Sequence, residues 1–264
     1  MSKAILYDAT KCTACRACQV ACKNWNGLES EETTNWGSYE NPKDLSTQTW
    51  LKMEFREVGN NGNLQWLFTR RACMHCTDAA CVKVCPTGAL YKRTDGFVAI
   101  NKDKCTNCGY CIDACPFNIP KLDASRVSGL GNRITKCTAC TTLGLNRIDN
   151  GYLPACVKTC PTGALTFGDR RSLVNAAEAR VAELGGNSRL YGKDELGGLH
   201  VLYVLADSPE KYGLPVNPKV PTYTTIWQNI LKPLGYGVAG VVGLGLLINI
   251  MVARARIISR EEGN

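Results

Sequence analysis

The stretch RACMHCTDAACVKVCPTGAL, residues 71–90, decides the fold of this 264-residue chain because it places four cysteines within thirteen residues. These are Cys73, Cys76, Cys81 and Cys85, and a proline follows the last of them. The other cysteines, from a total of sixteen, form three more groups of four, so none is left over. These groups are Cys12, Cys15, Cys18 and Cys22; Cys105, Cys108, Cys111 and Cys115; and Cys137, Cys140, Cys156 and Cys160.

Three kinds of site use cysteines in such numbers. Disulfide frameworks are typical of short secreted chains, and the first residues, MSKAILYDAT, contain no apolar run of a signal peptide. Structural zinc uses C-x2-C pairs in separate tetrahedral sites, and three cysteines within seven residues crowd such a site. The first and third groups have the C-x2-C-x2-C-x3-C spacing of cluster-binding ferredoxins. The sequence therefore predicts four [4Fe–4S] clusters as cofactors.

The spacing within a group also predicts how its fourth cysteine is used. A tight loop of backbone can wrap three corners of one cubane, whereas the fourth cysteine lies beyond a turn. In two-cluster ferredoxins this fourth cysteine binds the neighbouring cluster. We therefore expect the groups to form pairs that exchange their last cysteines. Spacing alone leaves open which groups form the pairs.

An internal repeat indicates the architecture. The segment CVKVCPTGAL (81–90) recurs as CVKTCPTGAL (156–165), and runs typical of strands, KAILYD, GFVAI and NRIT, flank the groups. We predict an α+β fold in which two interleaved ferredoxin-like units hold four clusters within residues 1–168. Such small units bury little apolar surface, so metal ligation must supply much of the folding free energy.

An aromatic-rich insertion, residues 23–72, separates the first two groups. It contains Trp25, Trp36, Trp50 and Trp66, four of the five tryptophans in the chain. Tryptophans in a local core and tryptophans that anchor a docking surface produce the same sequence pattern. Both interpretations therefore remain open at this stage.

The formal net charge of +8 is explained by the predicted clusters. An oxidised [4Fe–4S] core with four thiolates carries about −2, so four clusters contribute about −8. Basic residues beside the cysteines are expected to offset this charge. They are Lys23, Arg71, Lys104, Lys136 and Lys158. The chain contains neither a basic run nor a nucleic-acid-binding module, and we predict no nucleic-acid partner.

The sequence predicts no catalytic residue in this chain. It contains neither a phosphate-binding Walker loop nor a strand-initiated G-x-G-x-x-G motif. Of the two histidines, His75 lies between cluster ligands in CMHC, where a packing or cluster-tuning role is expected. His200 lies in the strand-like run GLHVLYVL and is expected to be structural. We therefore expect the chain to carry electrons rather than to break bonds.

The C-terminal part predicts an anchor in a lipid bilayer. Residues 169–233 are expected to form a helix and strand extension followed by a proline-spaced linker. Residues 234–253 are twenty residues without a charge, which predicts a single transmembrane helix followed by a basic tail, 254–264. Gly235, Ala239 and Gly243 recur every four residues, a small-residue face that lets another helix approach closely.

These motifs resemble the iron–sulfur (beta) subunit of membrane-bound respiratory formate dehydrogenases, one branch of the four-cluster subunits of molybdenum enzymes. The resemblance rests on the four cysteine groups and on YENPKDLSTQTW, PACVKTCPTGAL, GGLHVLYVL, YGLPVNPK and LKPL. Electron-transfer subunits of nickel–iron hydrogenases share the anchor and a similar GLP segment. The equivalent subunit of a hydrogenase or of a sulfur-compound or nitrate reductase remains the main alternative, and a free-standing membrane ferredoxin is another.

The resemblance implies that the first group pairs with the fourth and the second with the third. Each cluster would then take three cysteines from one group and one from its pair. The implied ligand sets are Cys12, Cys15, Cys18 and Cys160; Cys137, Cys140, Cys156 and Cys22; Cys73, Cys76, Cys81 and Cys115; and Cys105, Cys108, Cys111 and Cys85.

The resemblance also implies two protein partners. A catalytic (alpha) subunit with a molybdenum or tungsten bis-pterin centre would oxidise formate to carbon dioxide, and a membrane cytochrome b (gamma) subunit would pass the electrons to a quinone. The predicted helix contains no histidine, so any haem must belong to the partner. Three arginines after the helix and two lysines before it predict a cytoplasmic C-terminus and a cluster domain outside the cytoplasm.

Overall fold

The computed structural model describes residues 2–60, 63–122, 133–142, 146–226, 230 and 232–261. Contacts divide the chain into two units, Met1–Val220 and Pro221–Asn264. The strands described in the first unit are β1 (Lys3–Asp8), β2 (Lys52–Asn60), β3 (Asn63–Arg71), β4 (Leu90–Lys92), β5 (Val98–Ile100), β6 (Leu165–Asp169), β7 (Arg189–Tyr191) and β8 (Val201–Leu205). Its α-helices are α1 (Ala17–Trp25), α2 (Ala80–Lys83), α3 (Tyr110–Asp113), α4 (Ala155–Lys158) and α5 (Arg170–Leu184).

A four-stranded sheet with the order β6-β1-β8-β7 separates two layers of apolar side chains. Strands β1 and β8 are parallel, and the other two pairs are antiparallel. Because successive side chains of a strand point to opposite faces, Ala4 and Leu6 of β1 pack with α5. Ile5 and Tyr7 join the larger core, which also contains several of the cysteines. The sheet therefore forms one wall of the cysteine-rich interior.

Helix α5 covers the outer face of this sheet and has defined ends. The side chain of Asp169 accepts hydrogen bonds from the backbone N–H groups of Arg171 and Ser172, which otherwise have no partner in the first turn. The helix ends before Gly185, whose φ of 61° an ordinary side chain rarely adopts. Val174 and Ala177 are the helix residues buried against the sheet.

One antiparallel strand pair, β1 with β6, brings the first cysteine group beside the fourth. Tyr7 pairs with Leu165 at the end of this ladder. Cys12 follows Tyr7 by five residues, and Cys160 precedes Leu165 by five residues. Helix α1, which carries the end of the first group, packs against α4 in the fourth group.

The β4–β5 hairpin brings the second group beside the third, with the same spacing between paired residues and cysteines. Leu90 pairs with Ile100 at the end of the ladder. Cys85 precedes Leu90 by five residues, and Cys105 follows Ile100 by five residues. Helix α2 packs against α3, as α1 does against α4. The β1–β6 and β4–β5 strand pairs thus bring two cysteine groups together in the same way.

The internal repeat predicted from the sequence is present in the structure. Both copies contain a single helical turn with the sequence ACVK, α2 in the first copy and α4 in the second. A proline follows the next cysteine and ends each turn, because a proline disfavours helical geometry at the residue before it. Gly88 and Gly163 then adopt positive φ angles of 64° and 66° at equivalent positions.

The strand-like runs have different outcomes. KAILYD is β1, GFVAI contains β5 and GLHVLYVL contains β8, so these predictions are confirmed. In NRIT, Asn132 lies outside the described residues, and Thr135 forms an isolated bridge with Lys121 instead of a strand. Strand β8 belongs to the extension predicted for residues 169–233, yet it pairs with β1 in the middle of the sheet.

The second unit contains α6 (Thr222–Ile226) and α7 (Lys232–Glu261). Helix α7 includes the predicted transmembrane residues 234–253 and continues through most of the predicted tail. Within the described residues, Pro233–Arg254 is the one helical stretch long and apolar enough to cross a membrane, judged by length and composition. Its 22 residues would extend about 33 Å, close to the thickness of a bilayer's hydrocarbon core.

Candidate metal centres

Four cysteines from the first and fourth groups line one cavity of the first unit. They are Cys12, Cys15, Cys18 and Cys160. The cavity has an empty volume of about 320 Å3, and Tyr7, Met53 and Leu165 form part of its wall. The structure therefore brings together three cysteines of one loop and one cysteine that lies 142 residues later than Cys18.

A second cavity repeats this arrangement in the other half of the unit. It is lined by Cys105, Cys108, Cys111 and Cys85, and its empty volume is also about 320 Å3. Leu90, Ile100 and Ile134 contribute apolar wall. In both cavities, three cysteines of one loop are thus joined by the last cysteine of another group.

The remaining eight cysteines form two further quartets, recognisable from their mutual electrostatic effects. Burial raises the pKa of Cys22, and negative charge on Cys137, Cys156 and Cys140 raises it further. Burial likewise raises the pKa of Cys76, with additional contributions from Cys73, Cys81 and Cys115. Charges affect one another in this way at short range, and the effects also cross between sets, since Cys137 raises the pKa of Cys73.

The loops hold their cysteines through an unusual backbone conformation at matching positions. Ala14 and Arg16 in the first group have φ angles of 52° and 62°. The corresponding residues of the third group, Asn107 and Gly109, have φ angles of 57° and 78°. Left-handed residues of this kind curl a chain tightly, so the three cysteines of each loop face a common centre.

Backbone N–H groups point at several of the sulfur atoms. The amide of Ala14 donates to Cys12 Sγ at 3.3 Å, and the amide of Ala155 donates to Cys140 Sγ at 3.4 Å. The cysteines that precede prolines have similar surroundings. Burial raises the pKa of Cys115, and the backbone N–H groups of Ile119, Phe117 and Asn118 oppose this rise. Such donors stabilise a thiolate and hence a metal ligand.

The donor set fits an iron–sulfur cubane better than a single ion. Four sulfurs around one zinc ion would each lie ~2.3 Å from it and would leave no cavity between them. Among the described residues, no group of three or more His, Cys, Asp or Glu side chains is placed to hold one metal ion. Burial raises the pKa of Cys18, Cys111 and Cys140 to about 12, so these thiols would lose their protons only when a metal core binds.

Arg70 and Lys136 are buried cations beside cysteines of the quartets, and the sequence analysis named only Lys136. Lys136 is buried, and its Nζ donates to the backbone carbonyls of Val98 and Cys137. Arg70, on β3, is fully buried, and its Nη2 lies 4.0 Å from Cys156 Sγ. Arg70 was not predicted because it lies outside every cysteine group. Its position in a strand that enters the core was the available signal.

The other basic residues expected to offset cluster charge are placed differently. Lys23 pairs with Glu31 at 3.6 Å. Arg71 pairs with Asp44 and Glu54, each at 3.1 Å. Lys104 and Lys158 are exposed to solvent. The structure therefore assigns the closest charge compensation to Arg70 and Lys136.

Both histidines are buried and have packing contacts. His75 packs edge-on against Phe97 with ring centroids 5.0 Å apart, and its Nδ1 accepts the backbone N–H of Val98 at 3.0 Å. His200 lies beside the same Phe97, and its Nδ1 is 2.6 Å from the backbone oxygen of Lys3. The predicted structural role of His200 is confirmed. The Nε2 of His75 is buried without a hydrogen-bond partner among the described residues, which leaves a tuning role open.

The insertion supports both interpretations of its tryptophans, for different residues. Trp50 is buried in the main core. Trp36 and Trp66 are each 38% exposed, and the Trp66 ring lies 4.8 Å from the ring of Tyr39. A core role is thus confirmed for Trp50, whereas a docking role for the exposed aromatic side chains remains a prediction.

The predicted small-residue face lies on helix α7. An added Cβ at Gly235 or Gly243 would meet no atom within 4 Å, and Ala239 is exposed. The large apolar residues along Pro233–Arg254 are also exposed. Within its own unit, this helix therefore leaves an apolar surface for lipid or another helix to cover.

Two protein-family models match the chain. Both describe a 4Fe–4S dicluster domain, and they match residues 11–89 and 64–170. The two matches overlap at residues 64–89, the region that contains the second cysteine group. They leave the C-terminal helix unmatched.

Three relatives show the wider similarity. The chain is 45% identical to the iron–sulfur subunit of the nitrate-inducible formate dehydrogenase of Escherichia coli K12 over 237 residues, which cover 87% of this chain and 78% of the relative. It is 43% identical to the formate dehydrogenase iron–sulfur subunit of Haemophilus influenzae, over 90% of this chain and 77% of the relative. It is 32% identical to the hydrogenase-2 operon protein HybA of Escherichia coli O157:H7, over 94% of this chain and 84% of the relative.

Proposed function

Because the chain belongs to the family of formate dehydrogenase iron–sulfur subunits, we propose that it conducts electrons through four [4Fe–4S] clusters. The electrons would come from a catalytic subunit that oxidises formate at a molybdenum or tungsten bis-pterin centre. They would leave to a membrane cytochrome b subunit and its quinone. The observation that carries this proposal is the set of four cysteine quartets, which includes every cysteine of the chain.

Each quartet would hold one cluster in two interleaved ferredoxin-like halves. Two observations support this assignment: Cys160 lines the cavity of Cys12, Cys15 and Cys18, and Cys85 lines that of Cys105, Cys108 and Cys111. The proposed ligand sets are Cys12, Cys15, Cys18 and Cys160; Cys137, Cys140, Cys156 and Cys22; Cys73, Cys76, Cys81 and Cys115; and Cys105, Cys108, Cys111 and Cys85.

The residues of this chain have a holding and insulating role. Each bound cluster supplies reversible uptake of one electron. The thiolates hold the core, backbone N–H groups such as that of Ala14 stabilise their charge, and apolar side chains such as Met53 and Ile134 line the cavities. No step in this role requires an acid, a base or a nucleophile from the chain.

Iron analysis of the purified complex tests the cluster number. We expect about sixteen iron atoms for this chain beyond those of its partners, four for each quartet. A value near eight would contradict the assignment, because it would leave two quartets without clusters. Mass spectrometry of the co-purifying catalytic subunit tests the substrate. A nickel–iron hydrogenase there would support the alternative that the relative HybA suggests, although that relative is less similar than the formate dehydrogenase subunits.

The direction of the path follows from the resemblance to the family. The pair of clusters from the first and fourth groups would face the catalytic subunit, and the other pair would face the membrane. Cys108→Ser, which removes a ligand from the second cavity, should then block quinone reduction while formate still reduces the remaining clusters. Unimpaired quinone reduction, in a variant whose cluster loss is verified by electron paramagnetic resonance (EPR), would rule out a linear path that ends there.

Helix α7 would anchor the chain in the membrane, and Gly235, Ala239 and Gly243 would form the face on which a partner helix packs. Lys219 and Lys232 precede the apolar segment, whereas Arg254, Arg256 and Arg260 follow it. The excess of positive residues after the helix favours a cytoplasmic C-terminus and therefore an extracytoplasmic cluster domain.

A further inference from the structure

Arg70 is a buried cation that contacts one cysteine quartet and lies opposite a residue that lines the cavity of another. It lies on β3 opposite Met53 of β2, and no part of it is exposed to solvent. The hydroxyl of Tyr203 donates to its backbone oxygen, which connects this residue to the central sheet. Its guanidinium Nη2 lies 4.0 Å from the sulfur of Cys156.

The guanidinium has no carboxylate to balance it within the described residues. No ion pair forms there within 4.0 Å of Arg70, and its Nε and Nη1 have no hydrogen-bond partner in that part of the chain. Its neighbour Arg71 points to the other side of the strand and pairs with Asp44 and Glu54. A buried charge without a partner is costly, so a negative group in the same space would offset a large penalty.

Arg70 lies beside two different quartets. The sulfur of Cys156, which belongs to the set with Cys22, lies 4.0 Å from Nη2 of Arg70. Met53, the cross-strand partner of Arg70, lines the first cavity together with Cys18 and Cys160. An arginine guanidinium stays protonated in proteins, so Arg70 is a permanent positive charge beside both sets.

We propose that Arg70 is a fixed positive charge that raises the reduction potentials of two neighbouring clusters together, those of the Cys12/Cys15/Cys18/Cys160 and Cys137/Cys140/Cys156/Cys22 sets. This inference rests on the proposed function, since it needs clusters in both sets. A single side chain would thereby raise the reduction potentials of two adjacent clusters of the electron path together.

The physical reason is the change in cluster charge. Uptake of one electron converts a [4Fe–4S]2+ core to [4Fe–4S]1+, so the cluster with its four thiolates goes from about −2 to about −3. No bond forms or breaks, and no proton is required. A cation in a buried, weakly screened position stabilises the more negative state. Because Arg70 lies beside both sets, its charge should favour reduction of both clusters.

Lys136 is a second buried cation, close to the set that contains Cys73 and Cys81. Burial raises the pKa of these two thiols, and the charge of Lys136 opposes that rise; its Nζ also donates to the backbone oxygen of Cys137. Because Lys136 remains in place when Arg70 is replaced, we expect the clusters of the second and third groups to keep their potentials.

The test is a redox titration of the whole complex purified from native membranes, with EPR as the measure of each cluster's reduction. We compare Arg70→Gln, which removes the charge but keeps hydrogen-bond donors, with Arg70→Lys, which keeps the charge. Arg71→Gln is the matched control, because it removes the adjacent arginine on the opposite face of the same strand. Dithionite and redox mediators supply the electrons in all samples.

With Arg70→Gln, the ratio of reduced to oxidised cluster at a fixed potential should fall at least tenfold for two of the four clusters. For a one-electron couple, this is a shift of 59 mV to more negative potential. Arg70→Lys and Arg71→Gln should leave all four midpoints within a smaller shift. Unchanged midpoints in an Arg70→Gln complex with full iron, or a shift confined to one cluster, would overturn the proposal.

Iron content separates this result from a failure of the proposed function. A wild-type chain with about eight iron atoms would contradict the cluster assignment, irrespective of Arg70. If Arg70→Gln alone loses iron, an Arg70→Lys complex with full iron and unchanged midpoints supports the role of the charge. A tenfold shift of one cluster in that complex would overturn it. Loss of iron from both variants would assign Arg70 to folding and would also overturn the proposal.

Discussion

Cys85 lies with the cysteines of the next group rather than with its own. It lines a cavity with Cys105 and Cys108, although it follows Cys81 in the sequence by only four residues. For Cys115, the corresponding link is electrostatic, since its charge adds to the rise that burial causes in the pKa of Cys76. The helical turns α2 and α3 separate each of these cysteines from the loop of its own group, and the next residue is a proline. This local geometry is the reason for the proposed exchange of ligands.

Cys85→Ser should therefore perturb the cluster of Cys105, Cys108 and Cys111 and leave the cluster of its own group intact. Serine offers an oxygen in place of a thiolate, a poorer ligand for iron in this class of cluster. The measurement is the EPR spectrum of the reduced complex. Cys115→Ser is the matched variant and should affect the cluster of Cys73 and its partners instead. If each substitution altered only the cluster of its own group, the exchange would be refuted.

Gly96 has no room for a side chain, because His200, which is distant in the sequence, occupies that space. It has a φ of 97°, and a Cβ added there would lie 1.8 Å from Cε1 of His200. His200 has little room to move because it is buried and lies 2.6 Å from the backbone oxygen of Lys3. The close approach of these two residues links the β4–β5 hairpin to the central sheet.

Gly96→Ala should lower the free energy of unfolding by about 1–2 kcal/mol for the left-handed backbone and by a further ~1–3 kcal/mol for the steric overlap. Gly151→Ala is the control, since Gly151 has a φ of 75° but open space around its Cβ position, and it should incur only the backbone cost. Thermal loss of cluster absorbance in the purified complexes measures the difference. Equal melting of the two variants would contradict the predicted overlap.

At the scale of elements, strand β8 connects the extension to the cluster-binding core. It pairs with β1 in parallel, and all five of its residues are buried. Its Tyr203 packs edge-on against Tyr7 at 5.2 Å, and Tyr7 lines the first cavity. The four-cluster domain predicted for residues 1–168 would lack this strand. The boundary at residue 168 remains a prediction, and truncation of the chain at that residue would test it.

A chain that ends at Val220 should retain about sixteen iron atoms, whereas a chain that ends at residue 168 should lose most of them. The shorter chain leaves β1 without β8 and exposes the apolar residues that the strand covers. Iron analysis and yield of soluble protein after anaerobic expression measure the outcome. Full iron in the 1–168 chain would show that the ferredoxin-like halves fold without the extension.

At the scale of the whole molecule, the open property is orientation in the membrane. The positive charges favour a cytoplasmic C-terminus and an extracytoplasmic cluster domain, yet iron–sulfur clusters are assembled in the reducing cytoplasm. Both statements hold if the cluster domain folds first and crosses the membrane bound to a catalytic partner that carries a twin-arginine signal, as the resemblance to the family implies.

Protease added to intact spheroplasts should then digest the cluster domain, while a tag placed after Asn264 stays protected. Immunoblots against the tag and against the cluster domain give the two readings, and a cytoplasmic protein serves as the control for leakage. A protected cluster domain with an exposed tag would reverse the topology and place formate oxidation on the cytoplasmic side.

The sequence by itself determined the local features of this protein. The spacing of each cysteine group, the two copies of CPTGAL and the uncharged segment 234–253 are contiguous patterns, and each depends on a few neighbouring residues. Loop curvature, a helical turn before a proline and an apolar helix are all set by such short-range interactions. For this reason the cluster type, the repeat and the candidate membrane span were predictable.

Only the tertiary structure decided which distant residues meet. The β1–β6 strand pair brings Cys12 near Cys160, and strand β3 carries Arg70 to 4.0 Å from the sulfur of Cys156. Strand pairing across more than 150 residues depends on how whole elements bury their apolar faces. No short pattern encodes that outcome, so a buried arginine outside every cysteine group becomes recognisable only when the chain is folded around it.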